Sequence, residues 1–243
     1  MTLACDVALA ARIERAEARL LSDAVARVAL RVGERGDVLS RPLAGGIAAF
    51  AEPGSPLNKI AGLGFDEARL EKELEEVEKA FVLRECPVRV ELSSLADPAL
   101  GALLTRRGYV LEGFEDVLGL ALPARDLPPI PEDVKVHPSG PEELELWLDV
   151  TVAGFLSPDA QGVPSSESFE EEVLRRVIRD FSQAEGMTRY LAERGGVPAG
   201  GGSVRVAGGL AQLCGAATLP DHRRRGVQTA LLAERLAAAS RAG

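Results

Sequence analysis

Three consecutive arginines and a glycine lie between an apolar segment and an Ala/Leu-rich segment late in the sequence. The stretch reads Arg223, Arg224, Arg225, Gly226, Val227, Gln228. A glycine-containing turn that opens a helix leaves several backbone N–H groups without intrahelical partners, at the positive end of the helix dipole. These groups suit a phosphate or pyrophosphate, and arginines beside them add charged donors. Because cations are disfavoured at a helix start, the pattern favours an anion site for a phosphorylated cofactor over a solvated basic turn.

The overall charge requires this anion binding to be local. The chain has 243 residues, a formal net charge of −9, 46% hydrophobic residues and 4% aromatic residues. An acidic protein with few aromatic side chains is not expected to seek nucleic acid or anionic membrane surfaces. We therefore predict no nucleic-acid partner and no membrane partner.

The cysteines and histidines do not indicate a metal site. Cys5, Cys86 and Cys214 are far apart, and His137 and His222 complete no metal-ligand spacing. No secretory signal precedes the first helix, and no apolar run is long enough to span a bilayer. These features predict a cytoplasmic protein with reduced cysteines and no metal.

A proline-rich segment at residues 123–131 reads as a linker that divides the chain into two halves of similar length. Hydrophobic periodicity in the second half predicts the order strand, helix, helix, strand, strand, strand, helix. The arginine turn lies between the last strand, residues 210–219, and the last helix, residues 227–241. The first half shows helical patterns near residues 6–31, 66–84 and 97–107. Its predicted strands are at residues 37–43, 46–51, 88–92, 109–115 and 117–122, with a further apolar segment at 58–64.

With its motif on a strand-to-helix junction, the second half resembles the GNAT superfamily of acyl-CoA-dependent N-acetyltransferases. The family motif is Arg or Gln, two residues, Gly, one residue, then Gly or Ala. Here Arg223 and Gly226 match it, whereas Gln228 replaces the small final residue, so its side chain must point away from the cofactor or crowd it.

The resemblance implies a fold, a reaction and a set of cofactor contacts. The fold is α/β, with mixed, mostly antiparallel sheets and flanking helices, acyl-CoA N-acyltransferase-like, in two halves. Acetyl-CoA would be the co-substrate, and a small-molecule or peptide amine would attack its thioester directly, with carbonyl polarisation by backbone donors. The implied cofactor-binding residues are Ala217, Thr218 and Leu219 for the pantetheine arm and Arg223, Arg224, Arg225, Gly226, Val227, Gln228 and Thr229 for the pyrophosphate.

The first half resembles a degenerate copy of the same fold. Where a cofactor turn would stand, residues 62–67 read Gly, Leu, Gly, Phe, Asp, Glu, so carboxylates replace the arginine and oppose a pyrophosphate. We therefore expect a degenerate GNAT-like domain at residues 1–122, a linker at 123–131, and an acetyl-CoA-binding domain at 132–243. The degenerate half would be structural or would shape an acceptor pocket.

The second half ends before the closing strands of the family, and we expect it to be C-terminally incomplete. That region supplies the family's frequent general-acid tyrosine, so the catalytic residues stay unassigned. A non-catalytic module that binds CoA or another phosphorylated ligand is the alternative function. Cys214 and Trp147 fit buried packing better than chemistry, and His222 fits a surface position better than a base. The sequence does not identify the acceptor or the oligomeric state, and it is compatible with a homo-oligomer.

Overall fold

The computed structural model describes residues 3–66, 70–123, 127, 129–159 and 168–243. The chain forms two compact units, Met1–Leu120 and Ala121–Gly243. Within the described residues, no helix is both long and apolar enough to cross a membrane.

The first unit holds three helices and a small antiparallel sheet. Its helices are α1 (Val7–Val32), α2 (Leu70–Val82) and α3 (Pro98–Arg106), and its strands are β1 (Leu39–Leu43), β2 (Gly46–Phe50) and β3 (Lys59–Ala61), in the order β1-β2-β3. Carboxylates fix two of the helix starts, as N-caps do generally: Asp6 accepts from the Leu9 amide at 2.8 Å, and Asp97 accepts from the Ala99 amide at 2.9 Å.

The core of the first unit is formed by apolar side chains of the sheet, α2 and α3. Its buried members are Leu43, Ala48, Phe50, Ile60, Leu63, Leu74, Val77, Phe81, Leu100 and Leu104. Helix α2 contributes Leu74, Val77 and Phe81, which follow the helical period and leave its charged residues outside. The sequence predicts that this helix begins near residue 66, and residues 67–69, which precede α2, lie outside the described part.

Three strand predictions in the first unit, at residues 88–92, 109–115 and 117–122, need correction. Residues 88–92 contribute only one parallel bridge, between Val90 and Ile60, instead of a full strand. Residues 109–122, all described, form no strand at all, and Phe114 and Leu118 are exposed. The alternation of apolar residues there is compatible with a strand, but a strand forms only where a partner edge supplies its hydrogen bonds. A local pattern does not specify that edge.

The second unit is an antiparallel sheet with three helices. Its strands are β4 (Val134–Pro138), β5 (Met187–Arg194), β6 (Val197–Ala207) and β7 (Leu210–Thr218), in the order β4-β5-β6-β7. Its helices are α4 (Leu144–Phe155), α5 (Glu171–Phe181) and α6 (Val227–Ala242). The chain order therefore confirms the predicted order of strands and helices in the second half, and both units together confirm the predicted α/β class.

Three consecutive glycines of β6 show that α4 and α6 cover opposite faces of this sheet. A Cβ atom on Gly201 would lie 2.4 Å from Thr151 Oγ1 on α4, whereas one on Gly200 would lie 2.9 Å from Val227 Cγ1 on α6. Neighbouring residues of a strand point to opposite faces, so the two helices enclose the sheet from both sides. The small residues of β6 let both helices approach closely, and β7 lies beside β6 in the same layer.

Candidate functional site

The end of β7 leads directly into the predicted anion turn. Ala217 and Thr218 are the last residues of the strand, where they pair with Gly201 and Gly200 of β6. Leu219 extends this pairing, because its amide donates to the Ala199 carbonyl at 2.9 Å. A 3-10 turn, Pro220–His222, then redirects the chain towards α6. The strand and the helix therefore fix both ends of the turn.

The start of α6 presents backbone donors that no side chain caps within the described part of the chain. Gly226 is the N-cap, with a left-handed φ of 81°, and its carbonyl accepts from the Ala230 amide at 2.9 Å. The amides of Val227, Gln228 and Thr229 form the first helical turn, where a helix has no intrahelical acceptor for them. These three amides, with the positive end of the helix dipole, form the kind of helix start that suits an anion.

Gly226 is required by both its conformation and its surroundings. A φ of 81° is strained for any residue with a side chain. A Cβ atom at this position would also lie 2.5 Å from Cγ of Pro131. The glycine of the motif therefore allows the turn to pass against the segment that leads into β4.

Arg223 has a different role from the other two arginines. Its Nε donates to the Thr218 carbonyl at 3.2 Å, and its Nη2 donates to the Gly154 carbonyl at 3.4 Å and to the Ser157 carbonyl. Arg223 thus binds the end of β7 to the carboxyl end of α4, where a cation is favoured. Arg224 and Arg225 are exposed and lie beside the helix start. Of the three predicted charged donors, these two are the ones placed for a ligand from solvent.

Gln228, which stands where the family motif has a small residue, is exposed. The Gln228 side chain lies on the exposed side of the first turn of α6, while Val227 is buried against the sheet and Thr229 is half-buried. Gln228 therefore contributes its amide to the helix start while its side chain extends into solvent.

The end of β7 packs tightly against α4. A Cβ atom on Gly154 would lie 2.6 Å from Ala217 Cβ and 3.4 Å from the Thr218 amide nitrogen. The Thr218 hydroxyl is buried and has no hydrogen-bond partner in the described structure. On the edge of β7 away from β6, no strand of the described residues pairs with it. The predicted pantetheine-binding residues 217–219 thus lie at a sheet edge beside the turn.

Three other residues considered in the sequence analysis, Trp147, Cys214 and His222, have buried or half-buried atoms. Trp147 is buried, and its Nε1 donates to the Tyr190 carbonyl at 3.1 Å. The Cys214 thiol is half-buried in β7, 3.6 Å from Ser203 Oγ. The Nδ1 atom of His222 is buried without a partner in the described structure. Among the described residues, no group of three or more His, Cys, Asp or Glu side chains is arranged to hold a metal ion.

The corresponding segment of the first unit has different chemistry. Leu63 is fully buried in the core, and a Cβ atom on Gly64 would lie 2.6 Å from Ala96 Cβ. Asp66 Oδ1 lies 3.5 Å from the Arg15 guanidinium, and Glu67 is outside the described residues. The described part of this segment therefore offers packing and a carboxylate in place of cationic groups.

Sequence reasoning missed two features of this region, Arg235 of α6 and Gly215 of β7. Arg235 is 2% exposed, and Gly215 has a positive φ of 59° in mid-strand. Signals for both were present in the sequence. Arg235 continues the apolar spacing of Val227 and Leu231, and an isolated glycine inside a strand pattern suggests a bulge.

A family sequence model matches the part of the chain that contains the turn. Residues 155–243 match the sequence model of the acetyltransferase (GNAT) family, a range that includes the end of α4, the sheet edge β7 and the turn. No curated protein sequence matches the chain.

One solved structure shares the fold of the chain, and two others match it with lower TM-scores. A GCN5-related N-acetyltransferase from Kribbella flavida is 22% identical and has a TM-score of 0.57, over 90% of this chain and 79% of that one. A functionally unknown conserved protein from Staphylococcus epidermidis is 11% identical, with a TM-score of 0.47, over 87% of this chain and 82% of that one. An aminoglycoside N-acetyltransferase in complex with CoA is 20% identical, with a TM-score of 0.32, over 45% of this chain and 71% of that one. The second unit therefore contains a region that matches the acetyltransferase (GNAT) family, and the chain shares the fold of a GCN5-related N-acetyltransferase.

Proposed function

We propose that the second unit transfers an acetyl group from acetyl-CoA to an amine. The observation that carries this proposal is the start of α6, where three amides without a side-chain cap follow two exposed arginines in the chain. A pyrophosphate matches such a group of donors in charge and in hydrogen-bonding capacity. The location of this helix start within the region that matches the acetyltransferase family supports acetyl-CoA as the source of the pyrophosphate.

The proposed cofactor contacts are supported by the positions of the strand and helix backbones. The amides of residues 225–229 would bind the pyrophosphate, with the Arg224 and Arg225 side chains adding charge. Residues 217–219 would pair with the amide groups of the pantetheine arm through the edge of β7 that faces away from β6. Arg223 would act indirectly, by holding the end of β7 against α4.

The reaction is a direct substitution at the thioester carbonyl. The neutral amine forms the new C–N bond, the C–S bond of the thioester breaks, and the CoA sulfur leaves as a thiolate. The proton lost by the amine is returned to that thiolate, directly or through solvent. Catalysis would come from positioning the two reactants and from backbone donors that stabilise charge on the carbonyl oxygen. No side chain is assigned as general base, and the acceptor is a small-molecule or peptide amine.

The non-catalytic alternative, a module that binds CoA, is favoured by one observation. The edge of β7 away from β6 has no partner strand among the described residues. In that case the site would bind the cofactor without ordering an acceptor amine beside it.

Thiol release from acetyl-CoA separates the two functions. The full chain is incubated with acetyl-CoA and a panel of small primary amines, amino sugars and lysine-containing peptides, and the released thiol and the acetylated product are both measured. The proposal expects amine-dependent thiol release with formation of a matching amide. Binding of acetyl-CoA without amine-dependent release across the panel would support the binding module instead.

A further inference from the structure

A buried arginine lies on the sheet-facing side of α6. Val227, Leu231 and Arg235 are spaced by four residues and are all buried, so they form one stripe on the helix. The first two are core hydrophobic residues, whereas Arg235 places a guanidinium in the same layer with 2% of its surface exposed. No carboxylate of the described residues pairs with it. A buried charge is costly unless its hydrogen bonds are satisfied, so its acceptors matter.

The acceptors of Arg235 are backbone carbonyls of three elements. Its Nε donates to the Leu231 carbonyl of its own helix at 3.0 Å. Its Nη1 donates to the Ser203 carbonyl of β6 at 3.1 Å and to the Cys214 carbonyl of β7 at 3.4 Å. The Cys214 carbonyl also accepts from Ser203 Oγ at 2.9 Å. Burial lowers the pKa of the Arg235 guanidinium, which nevertheless stays protonated at neutral pH.

These carbonyls lie at a bulge between β6 and β7. Ser203 pairs with Cys214, but Gly201 pairs with Ala217, so one residue of β6 is opposed by two residues of β7. Gly215 follows Cys214 with a φ of 59°, as the extra residue of a bulge often does. A Cβ atom on Gly202 would lie 3.3 Å from Arg235 Cζ, so the guanidinium lies against the bulge from the α6 face.

The geometry of the peptide bond links the contact between Arg235 and the Cys214 carbonyl to the direction of the Gly215 N–H. In a trans peptide, the carbonyl of Cys214 and the amide N–H of Gly215 point in opposite directions. Because the Cys214 carbonyl accepts from two donors, one of them charged and on the α6 face, the Gly215 N–H is directed away from Arg235. Hydrogen bonds that share one peptide group polarise one another, so a charged donor at the carbonyl strengthens the N–H as a donor.

We propose that Arg235 is a positioning residue for acetyl transfer, which fixes the Cys214–Gly215 peptide of the bulge so that its N–H polarises the thioester carbonyl. This inference rests on the proposed function. Gly215 precedes the residues proposed to pair with the pantetheine arm and is further from the turn than they are, by two residues or about 7 Å of strand. The thioester is at the end of that arm away from the pyrophosphate, so it would meet the bulge. Arg235 itself touches neither the cofactor nor the acceptor.

The test compares Arg235→Leu with Arg241→Leu in the full chain. Both variants remove one arginine of α6, but Arg241 pairs with Glu234 on the surface at 3.0 Å and is the matched control. Leucine at position 235 continues the apolar stripe, and replacing a buried ion by an apolar residue is often tolerated by the fold. Three quantities are measured for each variant: kcat for the best amine acceptor, the calorimetric Kd for CoA, and hydrogen exchange of residues 214–216 without ligand.

Arg235→Leu is expected to lower kcat by roughly tenfold to a hundredfold, since loss of a full carbonyl donor costs about a hundredfold or more. Its Kd for CoA should stay within about twofold, because the pyrophosphate site is on another part of the helix. Exchange of the amides at residues 214–216 should become faster, and Arg241→Leu should match the wild type in all three measurements.

Ser203→Ala tests the second hydrogen-bond donor to the Cys214 carbonyl. It removes the other side-chain donor to Cys214, so its effect on kcat and that of Arg235→Leu should not add in the double variant.

A wild-type kcat in Arg235→Leu would overturn the proposal. An equal loss of CoA affinity and rate would overturn it too, since that result indicates a merely structural role. A wild-type chain that releases no thiol with any amine would contradict the proposed function itself, before any variant is compared.

Discussion

Arg223 and Arg225 are two positions apart and have opposite surroundings. The Arg223 guanidinium donates to carbonyls of β7, α4 and Ser157, whereas Arg225 is exposed. The same residue type therefore serves packing at one position and is available to a ligand at the other. This difference has a measurable consequence for stability.

Arg223→Met is expected to destabilise the chain by about 1–3 kcal/mol, because it leaves partly buried carbonyls without donors. Arg225→Met should change the free energy of unfolding by less than about 0.5 kcal/mol, as surface substitutions usually do. Urea unfolding of both variants measures the difference. Equal stabilities of the two variants would contradict the role assigned to Arg223.

The Gly226→Ala variant tests the turn itself. We expect a loss of about 1–3 kcal/mol in the free energy of unfolding, from the left-handed φ and from the contact with Pro131. The double variant Gly226→Ala/Pro131→Ala removes the contact but not the conformational strain. Gly226→Ala should therefore lower the free energy of unfolding less in the Pro131→Ala background than in the wild type. Thermal or urea unfolding of the three variants checks this, and a fully stable Gly226→Ala would contradict the geometry.

At the residue scale, the sequence predicts the glycine turn and the helix start but not the assignment of the arginines. The turn depends on neighbouring residues, whose spacing is visible in the sequence. The partners of Arg223 on α4 and after it are 69 and 66 residues away, so only the tertiary structure brings them together. For the same reason the sequence does not place the Arg235 side chain beneath β6 and β7.

At the scale of elements, the contact between α4 and β6 includes an unpaired polar group. Thr151 Oγ1 is fully buried against Gly201 and has no hydrogen-bond partner in the described structure. Thr151→Val keeps the shape and removes the hydroxyl, so we expect an increase of about 1 kcal/mol in the free energy of unfolding. Thr105→Val is the control, because the Thr105 hydroxyl donates to the Gly101 carbonyl at 2.9 Å and should give no gain. A destabilised Thr151→Val would contradict the burial of an unpaired hydroxyl.

An ion pair between α2 and the end of α3 gives a pH-dependent contribution in the first unit. Arg107 Nε donates to Glu78 Oε1 at 2.9 Å, and the Tyr109 hydroxyl donates to the same oxygen at 3.1 Å. The hydrogen bonds from Arg107 hold the pKa of the Glu78 carboxyl below its usual value, and the Tyr109 hydrogen bond lowers it further. Burial raises the pKa of the Tyr109 hydroxyl, which stays protonated as a donor.

Since the folded-state pKa of Glu78 is lowered, its contribution is present above the unfolded-state pKa and is lost as the pH falls through the folded-state value. Glu78→Gln should lower stability by about 0.5–1 kcal/mol at pH 7, with the difference shrinking below about pH 4. Urea unfolding across pH measures this, with Glu71→Gln, an exposed change on the same helix, as the control. A Glu78→Gln effect that is independent of pH would contradict the ion pair.

The strands and helices of the second unit are predicted from the sequence more completely than those of the first. In the second unit, the predicted order of four strands and three helices agrees with the structure, because consecutive strands of the chain are also neighbours in the sheet. In the first unit, residues 109–122 carry the same alternation without forming strands. Pairing across a sheet depends on edges that are distant in sequence, so an alternating pattern does not by itself predict a strand.

At the scale of the whole molecule, the two units have different predicted relations to the cofactor. The second unit carries the helix start with open amides, whereas the described part of residues 62–67 in the first unit is buried packing next to a carboxylate. We therefore expect acetyl-CoA to slow hydrogen exchange in residues 217–229 and to leave residues 62–66 unchanged. Exchange of the full chain with and without acetyl-CoA checks this, and protection of residues 62–66 with none in the turn would contradict the assignment.

The central claim is that the start of α6 binds the pyrophosphate of acetyl-CoA, and Gln228→Glu tests it most directly. The side chain is exposed and lies in the first helical turn, where a carboxylate favours the helix but repels a phosphate. Gln183→Glu, an exposed change of the same charge away from the turn, is the control. Calorimetry with acetyl-CoA and with acetyl-pantetheine, which lacks the pyrophosphate, gives the affinities. We predict that Gln228→Glu weakens acetyl-CoA binding about tenfold, as 1.4 kcal/mol of repulsion would, and leaves acetyl-pantetheine binding unchanged. An unchanged affinity for acetyl-CoA would contradict the account.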